Sequence, residues 1–411
     1  MRRRALLIAI GGGSVSGCLQ LHESDDGPPD AEPQPDETTD DDGGSPPTDD
    51  DGDDGGEDDE KGATSQVEEL ELEWWDTEGR TYAVAVSEDS LFVNGSRSNS
   101  LGGLRSIDIA TGNEEWHNAT IIENTASTIR YHEGTLYVGL HRHSDGTPTG
   151  ILEVDAVTGE AGSEFRIDGD QSIQNILDVS QEYVLAATGR SMQAGSYLYL
   201  LNRRSLTEEW YVHFPGEDHG TSPGSGVITD KSVIIGNSNS TREYSVSNGE
   251  EVWVSEDSAR VVRLVGEQLV SVIRGGVSSR ELVGKDRNWT LDSPRRANSL
   301  HPEAGVILSV GNAGVSAYDI ETGSALWDRP MEEIESGGGV FDPGRPSVVN
   351  DSVLVPASGG LVGLDIESGE QQLYTDLPTA EGHTRVTASG IVTVADTHFY
   401  GTAGTPLWNR R

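Results

Sequence analysis

Asp108-Ile109-Ala110-Thr111-Gly112-Asn113-Glu114-Glu115-Trp116 returns almost unchanged as Asp319-Ile320-Glu321-Thr322-Gly323-Ser324-Ala325-Leu326-Trp327. The shared frame is Asp-x-x-(Ser/Thr)-Gly-x-x-x-Trp, and degraded copies fall between and after these two. Asp155, Thr158 and Gly159 keep its front, with Phe165 near the lost Trp. Asn202, Ser205 and Trp210 keep it while Leu206 replaces Gly. Ser245, Gly249 and Trp253 hold the spacing, as do Gly404 and Trp408. Asp365, Ser368 and Gly369 hold the front, with Leu373 at the Trp position. A shortened copy ends at Trp289, and Trp74-Trp75 reads as the tail of a repeat whose front is missing. A period of roughly 35–47 residues marks a repeat architecture before any single residue is interpreted.

Each copy sits between short runs of strand character; Leu91-Phe92-Val93 precedes Leu104-Arg105-Ser106-Ile107, and Thr135–Val138 precedes Gly150–Val154. Apolar and β-branched runs closed by Gly, Asn, Asp or Ser clusters read as an antiparallel meander. The frame is then a hairpin connection. Its Asp accepts hydrogen bonds from turn amides, its Gly takes a positive φ, and its Trp opens the next strand as a large packing ring. Recurrence argues that these residues build every unit, whereas a site is usually built once. Nine repeat ends, from Trp75 to Trp408, bracket eight units. A four-stranded sheet repeated radially is a β-propeller, so the expectation is an all-β propeller of eight blades. Seven is the alternative, because the 253–289 unit is short and Glu281–Asp286 fits the frame poorly. The tail strand around Leu70–Trp75 is expected to close the ring against the last blade, near Pro406–Trp408.

The frame resembles the tryptophan-docking repeat of pyrroloquinoline-quinone-type propellers. That group includes the quinoprotein dehydrogenases and the outer-membrane assembly lipoprotein of the BamB type. The resemblance covers about 66–411, and it implies the propeller fold far more strongly than any activity. The dehydrogenases of the group carry adjacent cysteines beside the quinone, which this chain lacks: Cys18 is its only cysteine. Their calcium-binding and catalytic-base residues have no matching positions here. The expectation is therefore a non-enzyme with no cofactor.

Met1-Arg2-Arg3-Arg4, a short apolar stretch Ala5–Ile10 and then Gly11–Gly17 before Cys18 form an export signal, residues 1–18. Val15-Ser16-Gly17-Cys18 resembles a lipobox, with Cys18 lipidated. The paired arginines fit twin-arginine export as well as the general route. Residues 19–65 read as a disordered acidic tether: His22–Ser65 holds 19 acidic residues against Lys61, with too few apolar groups to offset ordering. The chain carries −42 at pH 7. Setting aside that tether and the three N-terminal arginines leaves −27 on residues 66–411, where Lys231 and Lys285 are the only lysines. An acidic, lysine-poor surface suits high salt, which screens its self-repulsion; a haloarchaeal source follows as an expectation. Nucleic acid and anionic lipid are excluded as partners on charge.

Sequons at Asn94, Asn118, Asn239, Asn288 and Asn350 are candidate N-glycosylation sites. Chemistry is hard to assemble. His141-Arg142-His143 lacks an identifiable third ligand, and His213 and His219 lie in a loop-rich stretch. Asp168-Gly169-Asp170 is too short for a calcium loop, and Gly224-Ser225-Gly226 reads as a loop. The expectation is a monomeric, lipid-anchored scaffold on the extracytoplasmic face of the membrane, binding an exported or membrane protein. A funnel receptor for a small molecule or polysaccharide is the alternative, and a quinoprotein dehydrogenase is the more remote one.

Overall fold

The computed structural model describes residues 75–401 except 77–79, 98–99, 122–125, 141–148, 168–170, 190–194, 216–222, 293–296, 312, 335–345, 350, 358–359, 377–383, 387–390 and 395–397. Gly404, Trp408, Cys18, Asn350, His141–His143, Asp168–Asp170 and His219 lie outside the described residues, as do both ends of the chain. The described strands form eight four-stranded antiparallel sheets. We number these blades 1 to 8: residues 80–118, 126–167, 173–214, 225–255, 259–292, 297–330, 347–376 and 384–401. The poorly fitting 253–289 unit is a complete blade after all, because Arg287–Asp292 pairs with Gly276–Glu281 as its fourth strand.

The eighth blade takes its fourth strand from the front of the domain. Trp75–Asp76 pairs antiparallel with His398–Gly401, in the register Trp75 with Tyr400 and Asp76 with Phe399. Pro406–Trp408, near which the closure was anticipated, lie outside the described residues. Trp75 is indeed the tail of a repeat whose front lies at the other end of the chain.

The core sits between blades, and the alternation of strands puts it there. In the blade 3 strand Ser196–Asn202, Leu198 and Leu200 pack with Val233 and Ile235 of blade 4. Tyr199 and Leu201 on the opposite face pack with Tyr137 and Ile151 of blade 2. Both faces are buried, so the strand reads as a continuous apolar run rather than an alternating one. Equivalent clusters straddle blades 1 and 2, 4 and 5, 5 and 6, and 6 and 7. The first strands of blades 1 to 5 lie side by side in succession, which sets them around the centre.

Candidate functional site

The repeat frame was the strongest candidate in the sequence, and its chemistry is consumed in joining blades. In seven of the eight blades the frame's fifth residue has a positive φ between 50° and 71°. In six of them its N–H bonds the first residue's carbonyl, for example Gly323 to Asp319 O at 2.8 Å. The first residue's carboxylate gathers the turn. Asp319 Oδ1 accepts from Glu321 N at 3.1 Å, Thr322 N at 2.7 Å and Thr322 Oγ1 at 2.7 Å. Asp155 and Asp365 repeat this, and Asp108 keeps the Thr111 bonds. The bonds from Thr158 and Ser368 hold the Asp155 and Asp365 carboxyls below the usual range, and those from Thr322 do so for Asp319.

Four of the frame's Trp residues then key into the turn of the following blade. Trp116 Nε1 donates to Ala156 O at 2.9 Å, Trp210 to Val246 O at 2.8 Å, Trp289 to Glu321 O at 2.6 Å and Trp327 to Ile366 O at 2.7 Å. The indole lies on the turn glycine. A Cβ on Gly159 would stand 2.5 Å from Trp116, and one on Gly369 2.6 Å from Trp327. These glycines are thus required twice, by φ and by the ring against them.

Among the junctions whose turns are described, two depart from the rule, each with a compensating change. In blade 2 Ser163 occupies the Trp position. Phe165, two residues on and on the same face, packs on the cluster holding Leu206, the residue that replaces Gly in blade 3. Phe165 also meets Tyr199 edge-on at 5.3 Å. Where blade 4 meets blade 5, Lys285 takes the left-handed position at φ 64°. Its ammonium lies 5.4 Å from the centre of the Trp253 ring and 2.7 Å from Glu243, so a cation–π contact and an ion pair replace the glycine stack.

The frame also presents side chains to the outside. Its third residue is exposed in every described turn: Ala110, Val157, Arg204, Ser247, Val283, Glu321 and Glu367. Val157 is 80% and Val283 83% exposed. The amide N–H of the second residue bonds the inner hairpin of the same blade at 2.8–3.0 Å, as from Ala156 to Gly134 O. The tips and inner hairpins therefore share one face. Each of those hairpins in blades 1 to 7 adds exposed carboxylate, from Glu88 and Asp89 round to Asp351.

A second cluster lines the centre, and the sequence did not single it out. The inner strands leave backbone N–H and C=O groups unpaired toward the middle of the ring. Side chains from neighbouring blades answer them. Arg130 of blade 2 donates through Nε to Ile176 O at 3.3 Å and through Nη2 to Leu177 O of blade 3. Asp178 Oδ2 accepts from Ile228 N of blade 4 at 2.8 Å. Ser225 Oγ of blade 4 accepts from Val262 N of blade 5 at 3.1 Å. Ser225 thus begins a strand, Ser225–Ile228, rather than sitting in a loop. Arg263 reaches Val262 O at 2.8 Å and Ser225 Oγ at 3.5 Å.

Burial shapes the charges here. It raises the Asp178 carboxyl despite Arg130. Burial and the repulsion of Arg130 bring Arg263 down to about 10, and burial with Arg263 brings His301 of blade 6 down to about 4. His132 is also lowered, by burial and then by Arg203. The available signal was a lone charge inside an apolar run, as in Ile176-Leu177-Asp178-Val179 and Val261-Val262-Arg263-Leu264.

The sequons separate by exposure. Asn94 is fully buried, and both side-chain amide atoms lack a hydrogen-bond partner. A glycan has no room there, which removes it as a candidate. Asn118 is half-buried and donates to Gly159 O of the next blade at 2.7 Å. Asn239 and Asn288 are exposed. His213 is exposed and stacks on Tyr197 with ring centres 4.6 Å apart. Among the described residues no group of three His, Cys, Asp or Glu side chains is placed to hold a metal ion.

Comparison with known proteins agrees with this geometry. A family model described as the outer membrane protein assembly factor BamB matches residues 100–283 and 286–400. No curated protein matches the chain. The crystal structure of BamB from Moraxella catarrhalis is similar with a TM-score of 0.54 at 15% identity, over 77% of this chain and 94% of that one. The computationally designed protein Ika8 gives 0.57 at 15% identity, over 82% and 98%. The quinohemoprotein alcohol dehydrogenase ADHIIG from Pseudomonas putida HK5 gives 0.57 at 12% identity, over 82% and 72%. At these identities the likeness is one of fold.

Proposed function

Because this chain belongs to the family described as the outer membrane protein assembly factor BamB, we propose that it is a non-catalytic, protein-binding scaffold. In this reading Cys18 carries the lipid anchor, the acidic segment 19–65 is a tether, and the propeller works as a monomer on the extracytoplasmic face of the membrane. Its partner is an exported or membrane protein. One observation carries the proposal: the frame's recurring residues turn inward to lock blades, while its third position presents chemically different tips on one face. Val157, Arg204, Ser247, Val283 and Glu321 offer apolar, basic, neutral and acidic contacts from equivalent places. A fixed frame with varied tips is a layout for recognising a partner surface. The exposed carboxylates of the inner hairpins on that face favour a partner with a basic surface.

The test is chemical cross-linking in intact membranes at high salt, followed by affinity purification and mass spectrometry. A single reproducible protein partner, cross-linked through the turn face, is the expected result. Recovery of the propeller with a stoichiometric quinone or sugar and no protein partner would overturn the reading.

A further inference from the structure

The charged cluster at the centre of the ring has a further use. Arg263 lies deep in the domain yet keeps part of its surface open, and the same is true of Asp178 and His301. Solvent thus reaches these deep side chains, and we read the opening at the centre of the ring as a channel. Within it two guanidinium groups from different blades, Arg130 and Arg263, repel one another, and Asp178 is the carboxylate that faces them both. His301 stays neutral at ordinary pH, with Nε2 at 2.9 Å from Ser299 Oγ. An arginine in such surroundings requires negative charge or several acceptors to offset its lost hydration.

The bonding of Arg263 shows where that charge would sit. Its described hydrogen bonds, to Val262 O and Ser225 Oγ, both run through Nη1. The Nε and Nη2 hydrogens form the opposite edge of the guanidinium, a parallel pair that matches the two oxygens of a carboxylate. We propose that the channel binds a small carboxylate, held bidentate on the Nε–Nη2 edge of Arg263 with Arg130 adding its charge. The domain around it carries −27, so a site for an anion is a local exception that the fold has built at its centre. Arg130 and His301 each lie close enough to Arg263 for their charges to interact, which favours a ligand of a few heavy atoms. This inference is independent of the scaffold reading, because it concerns the channel and not the turn face.

Acetate is the probe. Thermal melts of the full chain would be recorded as sodium acetate replaces sodium chloride at constant ionic strength. The expected result is a saturable rise in Tm, reaching about 4 °C at a hundredfold excess over Kd for a domain of this length. Arg263→Gln should abolish the rise, and Arg263→Lys, which keeps the charge but loses the fork, should cut it to less than half. The side-chain Nε–H resonances of the wild-type chain give a check that needs no variant: one arginine signal should shift with acetate and none with chloride. No rise beyond that in chloride, an equal rise in Arg263→Gln, or no shifted arginine signal would overturn the proposal. So would stoichiometric capture of pyrroloquinoline quinone with no response to acetate.

Discussion

Replacing Gly369 by Ala tests how the blades are joined. Gly369 sits at φ 70°, and a Cβ there would stand 2.6 Å from the Trp327 ring. The left-handed conformation costs Ala about 1–2 kcal/mol, and the displaced indole adds about 1–3 kcal/mol of overpacking. Trp327→Ala alone should cost about 3–5 kcal/mol. That cost includes about 1 kcal/mol for the lost bond to Ile366 O. In the double variant the ring is gone, so the substituted alanine retains only its conformational cost. The two changes should therefore couple by about 1–3 kcal/mol, with the double variant more stable than additivity allows. A domain of this length loses about 1.4 °C in Tm per kcal/mol. Gly369→Ala should thus lower Tm by about 3–7 °C in the wild type but by about 1–3 °C in the Trp327→Ala background. Circular-dichroism melts of the four proteins in molar sodium chloride would measure the cycle. A Gly369→Ala cost that is the same in both backgrounds to within about 0.5 kcal/mol would refute docking of the Trp on the turn glycine.

Lys285→Gly relieves a left-handed side chain but orphans Glu243, whose side chain is 10% exposed, so it should destabilise by about 1–3 kcal/mol. Adding Glu243→Gln should restore most of that in the same melts, since the junction then regains the regular Trp-on-Gly form. His301 titrates near 4 in the fold against 6.5 when free. The unfolded chain therefore takes up a proton the folded chain refuses, and stability present above pH 6.5 should fall as pH drops toward 4. His301→Gln should flatten Tm across that window. Asp319 has a depressed pKa, so its contribution is present above the ordinary carboxylate value and is lost as pH falls below it. The Tm gap between wild type and Asp319→Asn should accordingly close below about pH 4. Glycopeptide mass spectrometry of the native protein should find no sugar at Asn94, while Asn239 and Asn288 are open to it.

The frame made the fold legible because its demands are local. An Asp accepting amides three residues on and a Gly at positive φ leave a fixed spacing in the chain. The partner of each Trp was not legible, since Trp327 meets Ile366 and Gly369 across a blade boundary. Leu206 and Lys285 looked like decay of the repeat. In the structure each meets a side chain of the preceding blade, Leu206 packing in one cluster with Phe165 and Lys285 contacting Trp253 and Glu243. The channel was hidden for a different reason. Arg130, Asp178, Arg263 and His301 come from four inner strands outside the Asp-to-Trp frame, so only closing the ring brings them together. The buried state of Asn94 was equally non-local, set by a strand that packs between two blades.

The scaffold reading is tested most directly by placing a photo-cross-linking amino acid at Val157, Arg204 or Val283 on the turn face, and at exposed Val252 on a blade's outer strand as the control. Irradiation of intact cells in their native salt should yield one shared protein adduct from the three turn positions and none from Val252. Adducts absent from all three, or equally abundant at Val252, would contradict a partner-binding role for the varied tips of the repeat.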